Sequence, residues 1–348
     1  MKKFRPAFLI LTLALLLSAV SCGNMAEPKT KTYYEYFDTV CTVSSYGGES
    51  RTDFSERCDE LEGIMKKYNR LLDIYHEYEG VNNLATVNKS AGIAPVRVDA
   101  ELIDLLLYAR EIYDLTKGEV NVAMGAVLSL WHDCREAAED SSENAVIPTE
   151  EELLRAAEHT SIDCLVIDRE ASTVYLSDRA ASLDAGALGK GYVAELMAQR
   201  LTELGATSYV LDLGGNIRTV GTKRNGEPWV TGITNPDTTS SKAFALRIKI
   251  SDTSCVTSGS YQRFYTVNGK QYHHIIDKDT LYPSEYFSSV TVITPNSALA
   301  DALSTALFSM SYEEGLRLCQ DLGGVEVLWI KQDGSLLMTE GIDAISVE

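Results

Sequence analysis

Apolar positions first recur with a helical period at Leu61, Ile64, Met65, Tyr68, Leu71, Leu72 and Tyr75, within "SERCDELEGIMKKYNRLLDIY". Spacings of three and four residues line one face of a helix, so this stretch predicts a long amphipathic helix. A second helix follows from Asp99, a good N-cap, through Leu102, Leu105, Leu106, Ala109 and Ile112. Thr149 and Glu152 form a capping-box pattern that opens a third, "EEELLRAAEH". Elsewhere the apolar period shortens. "YYEYFDTVCTVSSYG", "CLVIDRE", "STVYLS", "SYVLDLGGNIRTVG", "WVTGI", "AFALRIKI" and "SSVTVIT" read as strands. Helices after Gly186 and after Pro295 interrupt this β-rich half. The mixture predicts an α/β (mixed α+β) fold in one compact domain, with a largely antiparallel sheet flanked by helices.

The N-terminus breaks the pattern. Lys2, Lys3 and Arg5 precede the apolar run "AFLILTLALLLSAV", which ends in "SAVSC". The run is shorter than the roughly 20 residues of a membrane span and has the length of a secretory signal. Small residues followed by Cys22 resemble a bacterial lipobox; the alternative is an ordinary secretory signal with a chance cysteine. The expected organisation is a signal peptide over 1–22 with lipidation at Cys22, a flexible tether over 23–31 and a folded domain over 32–348. The protein is expected outside the cytoplasm, anchored by lipid to the bacterial cell membrane.

Composition narrows the partners. The net charge of −19 argues against nucleic-acid binding. Seven cysteines are widely scattered and include no C-x-x-C pair, which disfavours a thiolate metal cluster or thioredoxin-type chemistry.

Several stretches carry candidate chemistry. "SLDAGALGKGYVAE", Ser182 to Glu195, places glycines around Lys190 where a strand becomes a helix. Such a junction exposes backbone N–H groups to an anion, although the spacing fits neither common nucleotide fingerprint. In "NSALADALSTALFSM", Asp301 and Thr305 stand one helical turn apart with Ser304 beside them; these oxygen donors suit Mg²⁺, or else form a polar stripe on a half-exposed helix. "YHHIIDKDTLYP" holds His273, His274 and Asp277, any facing pocket gaining a possible general base; adjacent histidines on a strand point to opposite faces. "DLGGN" is a turn or a close backbone approach.

Taken in order, "TKGEVNVAMGAVLSLW", "SLDAGALGKGY", "DLGGN", "VTSGSYQR", "HHIIDKDTLYP" and "ADALSTALF" resemble the ApbE family of FAD:protein FMN transferases. The resemblance runs from about Thr39 onward. It implies that FAD is a substrate bound between sub-lobes, that Mg²⁺ is required, and that FMN passes as a phosphoester to a Thr or Ser of an exported or membrane redox protein. By resemblance, Asp184 and Lys190 contact FAD, Ala187 lends a backbone carbonyl to the metal shell, and Asp301, Ser304 and Thr305 complete it. Glu119, Val120 and Asn121 fall on an FAD-contacting stretch and Ile275 on a flavin contact. Val40 sits where a methionine is common. Tyr75 falls on a flavin-stacking tyrosine, with Tyr78 as rival because of the extra stretch "HEYEGVNN". His274 matches the histidine that assists transfer, and Asp277 is a second candidate base. Two departures stand out. The family's "D-P-x-T-G-x-P" reads Asp277-Lys278-Asp279-Thr280-Leu281-Tyr282-Pro283, and the aspartate of "G-x-x-D-P" is Asn121. Rival readings are a Mg²⁺-dependent FAD pyrophosphatase and a non-catalytic flavin-binding lipoprotein.

Overall fold

The computed structural model describes residues 27–141 and 145–347. Cys22 and the signal segment lie outside the described residues. An eight-stranded, wholly antiparallel sheet runs in the order Lys29–Tyr33, Cys41–Ser45, Ser208–Leu213, Asn216–Gly221, Ser254–Gly259, Ser289–Thr294, Glu326–Ile330, Leu336–Met338. Strand therefore begins at Lys29, inside the stretch expected to be tether. The single strand expected from "YYEYFDTVCTVSSYG" is interrupted: Phe37 and Asp38 have φ of 55° and 51°, a left-handed pair that reverses the chain.

Period-two alternation sorts the strand residues between two cores. Val290, Val292, Val327 and Trp329 face the helix Ser297–Phe308 (the aspartate helix), packing on Leu303, Leu307 and Phe308. Their neighbours Ile293, Leu328 and Ile330 point the other way and pack with Trp229, Ile233, Ile248 and Ile250 of a small second sheet, Trp229–Thr234, Phe244–Ile250 and Ser346–Val347. Helices thus cover one face of the main sheet and a small sheet covers the other.

On the helical side lie the cradle helix Gly189–Glu203, the aspartate helix and the long helix Arg51–Leu71, whose capping box is Ser50 with Asp53. The helix expected from Asp99 spans Ala100–Leu115, and the Thr149–Glu152 capping box opens Glu150–Ala157. The segment "AMGAVLSLWHD", for which no element was expected above, is helical over Gly125–Asp140. A hairpin, Phe264–Val267 with Lys270–His273, leads into the His274 turn. The six described cysteines are free thiols, all buried except the half-buried Cys134.

Candidate active site

The site is assembled where the cradle and aspartate helices touch. At Gly191 a Cβ would collide with the Asp301 Cβ and the Ser297 carbonyl, so only glycine allows this approach. The approach brings the Gly191 N–H to Asp301 Oδ2 at 2.7 Å and leaves Lys190 Nζ 4.0 Å from Oδ1. Asp301 is buried, and its negative charge is met by one backbone donor and one lysine. Glu195, one turn further along the cradle helix, accepts from the Ser297 N–H at 2.8 Å and from Arg218 Nε at 3.3 Å. It thereby fixes the start of the aspartate helix against its neighbour.

Oxygen donors converge beside Lys190. The Thr305 hydroxyl reaches the carbonyls of Ala187 (3.5 Å) and Asp301 (3.4 Å), both long for an O–H···O bond, so it is weakly committed. Asp301 Oδ1, Thr305 Oγ1 and the Ala187 carbonyl form an all-oxygen donor set that fits a hard dication. Among the described residues no cluster of three His, Cys, Asp or Glu offers a rival site. Ser304 differs: it is fully buried, donates to the Asp301 carbonyl at 2.9 Å and shares a 2.8 Å hydrogen bond with Ser258. Its hydroxyl joins helix to sheet, and the expectation of Ser304 in the metal shell gains no support from this placement.

The strand-to-helix turn is built by Asp184. Its N–H donates to the Val122 carbonyl, which docks it beside the 119–121 stretch, and its Oδ1 accepts from Gly186 N–H at 2.7 Å. Burial pushes the Asp184 carboxyl above its ordinary value, opposed by that N–H and by His132. Partial desolvation by its neighbours, and then the Asp184 charge, push the Tyr75 phenol up although the residue stays largely exposed. Its ring is 59% exposed and stacks on His132, centroids 4.7 Å apart. Tyr78 is occupied instead, its hydroxyl on Asp73 (2.7 Å) and its ring beneath Arg70.

The two histidines divide as the strand alternation requires. His273 is buried; its Nε2 donates to the Ser284 carbonyl and its Nδ1 accepts from Ile275 N–H, which leaves no free nitrogen. His274 is partly exposed. Its Nδ1 lies 3.2 Å from the Arg263 carbonyl, which can only accept, so the proton sits on Nδ1 and Nε2 carries a free lone pair. Desolvation first, then the charge of Arg263, lowers its pKa to about 3, with Lys190 contributing. His274 is therefore neutral at physiological pH, with Nε2 open as a hydrogen-bond acceptor.

Other expected residues are placed less directly. Asp277 Oδ1 accepts from the N–H groups of Asp279 (2.8 Å) and Thr280 (2.9 Å), so this carboxylate organises the turn and is poorly free to act as a base. Ile275 is packed in the core beneath the aspartate helix, and Val120 is buried. Asn121 is spent on the Thr160 carbonyl and the Ala123 N–H. Glu119 is pushed up to about 7 by burial, with Lys278 opposing from 3.3 Å. Val40 gives its carbonyl to Gly214, whose φ of 64° and contact with Thr39 both require glycine. Sequence reading missed Glu195 and His132, since no spacing relates residue 195 to 297 or residue 132 to 75.

The fold and these residues define an α/β protein in which a lysine, a buried aspartate and hydroxyl and carbonyl oxygens gather at a strand-to-helix turn. Comparison with known proteins is specific. The ApbE family model matches residues 37–329. The FAD:protein FMN transferase of Treponema pallidum is 32% identical over 94% of this chain and 92% of its own length. That of Haemophilus influenzae is 28% identical, covering 94% of each. Among solved structures, the ApbE protein of Thermotoga maritima superposes with a TM-score of 0.81 at 25% identity, covering 92% of this chain and 100% of its own. This chain belongs to the ApbE family.

Proposed function

We propose that the protein is a Mg²⁺-dependent FAD:protein FMN transferase that attaches FMN to a Thr or Ser hydroxyl of an exported or membrane-held redox protein. The observation that carries this reading is the gathering of Lys190 with the Asp301–Thr305–Ala187 oxygens, near enough to His274 that the Lys190 charge acts on its ring, whose Nε2 is free. Curated relatives bearing that activity's name support it.

The chemistry is a displacement at the FMN-side phosphorus. The acceptor hydroxyl oxygen forms the new P–O bond, the bridging P–O bond breaks, and AMP leaves. His274 Nε2 takes the hydroxyl proton and returns it to solvent. Lys190 offsets charge on the diphosphate oxygens; the turn's own N–H groups at 184, 186, 188 and 189 are spent on the Val122 carbonyl, the Asp184 carboxylate and the Ala185 carbonyl. Asp301, Thr305 and the Ala187 carbonyl would hold Mg²⁺, which supplies Lewis-acid stabilisation of phosphate charge. The exposed face of Tyr75 is free for a planar ring. The lipidated Cys22 and a location on the outer or periplasmic face of the cell membrane complete the proposal, supported by the N-terminal pattern alone.

Incubation of the protein with FAD, Mg²⁺ and a hydroxyl-bearing acceptor protein tests the reading. The acceptor should gain the mass of FMN less one water. FMN and AMP released without any adduct would instead make the protein a pyrophosphatase.

A further inference from the structure

Tyr75 is a large aromatic left 59% exposed, yet its ring is not loose. One face rests on His132, with the planes 28° apart. His132 is itself oriented by two residues of its own helix, Gly125–Asp140. Arg135 Nη2 lies 2.8 Å from its Nδ1, and Glu136 Oε1 lies 3.5 Å from its Nε2. An arginine can only donate, so Nδ1 accepts and the neutral ring carries its proton on Nε2, toward Glu136. The pair adjoins the cradle, near enough for the Asp184 charge to act on the Tyr75 phenol.

From this arrangement we infer that His132 is a positioning residue. It backs the inner face of Tyr75 so that the outer face forms a fixed shelf for a planar heteroaromatic ring of the dinucleotide. This rests on the proposed FAD site and deepens it. An unbacked exposed tyrosine samples several rotamers, and ordering it on binding costs affinity. A tyrosine already stacked avoids much of that cost, and the added ring extends the stack by offset contact.

The test uses the full chain and binding probes rather than turnover. FMN is titrated by flavin fluorescence and ADP by calorimetry, against wild type, His132→Ala, His132→Gln and His132→Phe. His132→Gln keeps an acceptor for Arg135 and removes the aromatic ring, so it answers the question even if the alanine variant misfolds. The Ala and Gln variants should lose roughly three- to tenfold in affinity for one probe, with His132→Phe within about twofold of wild type, by the usual worth of an aromatic pair. Loss confined to FMN places the isoalloxazine on the shelf; loss confined to ADP places the adenine there. In a Tyr75→Ala background, His132→Gln should have no further effect. Unchanged affinity for both probes, or additive losses with Tyr75→Ala, would overturn the inference. A chain that binds FMN through this stack but transfers none would overturn the transferase reading and leave the shelf standing.

Discussion

At the scale of single residues, Leu281 shows how a departure from a motif is tolerated. It occupies the glycine position of the family's turn pattern and has a φ of 63°, a left-handed conformation that costs a side-chain-bearing residue about 1–2 kcal/mol. Its side chain is buried with Met124, Val127, Trp131 and Tyr265, and its carbonyl accepts from Trp131 Nε1 at 2.9 Å. Burial of a leucine offsets the strain. Leu281→Ala keeps the strain and loses the packing, so it should cost about 2–4 kcal/mol in denaturant unfolding. Leu281→Gly relieves the strain and should be less destabilised than the alanine variant by about 1 kcal/mol. The reverse order would refute this account. The turn survives the loss of its glycine because a hydrophobic pocket waits for the replacement, a fact that no local reading of seven residues contains.

His274 belongs to the same scale and makes a pH prediction. With a folded-state pKa near 3, its ring is neutral throughout pH 5–8. Accordingly kcat/KM, which reports free-enzyme ionisations, should show no acid limb near 6.5 that disappears in His274→Gln. For stability the sign is opposite to that of a salt-bridged histidine. The unfolded chain takes up a proton below about 6.5 that the folded ring refuses until about 3, so stability should decline as pH falls across that window. A rise in stability from pH 6.5 to 4 attributable to His274 would contradict the desolvation of its ring.

At the scale of elements, the working unit is the pair of helices Gly189–Glu203 and Ser297–Phe308. Their register is set by Gly191 at the contact and by the Arg218–Glu195–Ser297 bridge, and it places Lys190, Ala187, Asp301 and Thr305 together. Glu195→Ala removes one partner of the buried Arg218, which keeps Asp252 at 3.4 Å, and should cost about 1–3 kcal/mol. Glu195→Gln retains an oxygen for the Ser297 N–H, and should restore most of the Mg²⁺ affinity that the alanine variant loses in calorimetric titration. Equal Mg²⁺ affinity in wild type and Glu195→Ala would show that this bridge does not position the site. The helices themselves were legible where a cap announced them: Thr149–Glu152 is the clearest case. Gly125–Asp140 starts at Met124, a residue type that gives no N-cap signal, although Val127, Trp131 and Cys134 keep helical spacing. Tyr312–Leu322 opens on a Ser311–Glu314 capping box, a signal present in the sequence.

At the scale of the molecule, local alternation predicts strands but says nothing of their order. Cys41–Ser45 pairs with Ser208–Leu213 across some 165 residues, a long-range closure decided by packing. That closure sets Val40 beside the Gly214 turn. The antiparallel sheet and flanking helices were readable; the second sheet covering the opposite face was not, because an inward Ile293 and an outward one look alike in sequence. The folded edge starts at Lys29, seven residues after Cys22. If Cys22 is the anchor, Cys22→Ala should move the protein out of the membrane fraction and slow modification of membrane clients, while a soluble acceptor is modified as before. Retention in the membrane with normal client modification would contradict anchoring at Cys22.

The central claim is that Asp301 and His274 act on one diphosphate, Asp301 as a cation ligand and His274 as base. Intact-mass measurement of an acceptor protein after incubation with FAD and Mg²⁺ tests it most directly, comparing wild type with Asp301→Ala and His274→Gln. Wild type should add one FMN less water. Asp301→Ala should add essentially none at millimolar Mg²⁺, and His274→Gln should transfer at least about a hundredfold more slowly, the usual worth of a general base. Undiminished FMN transfer by Asp301→Ala, or by His274→Gln, would contradict the account.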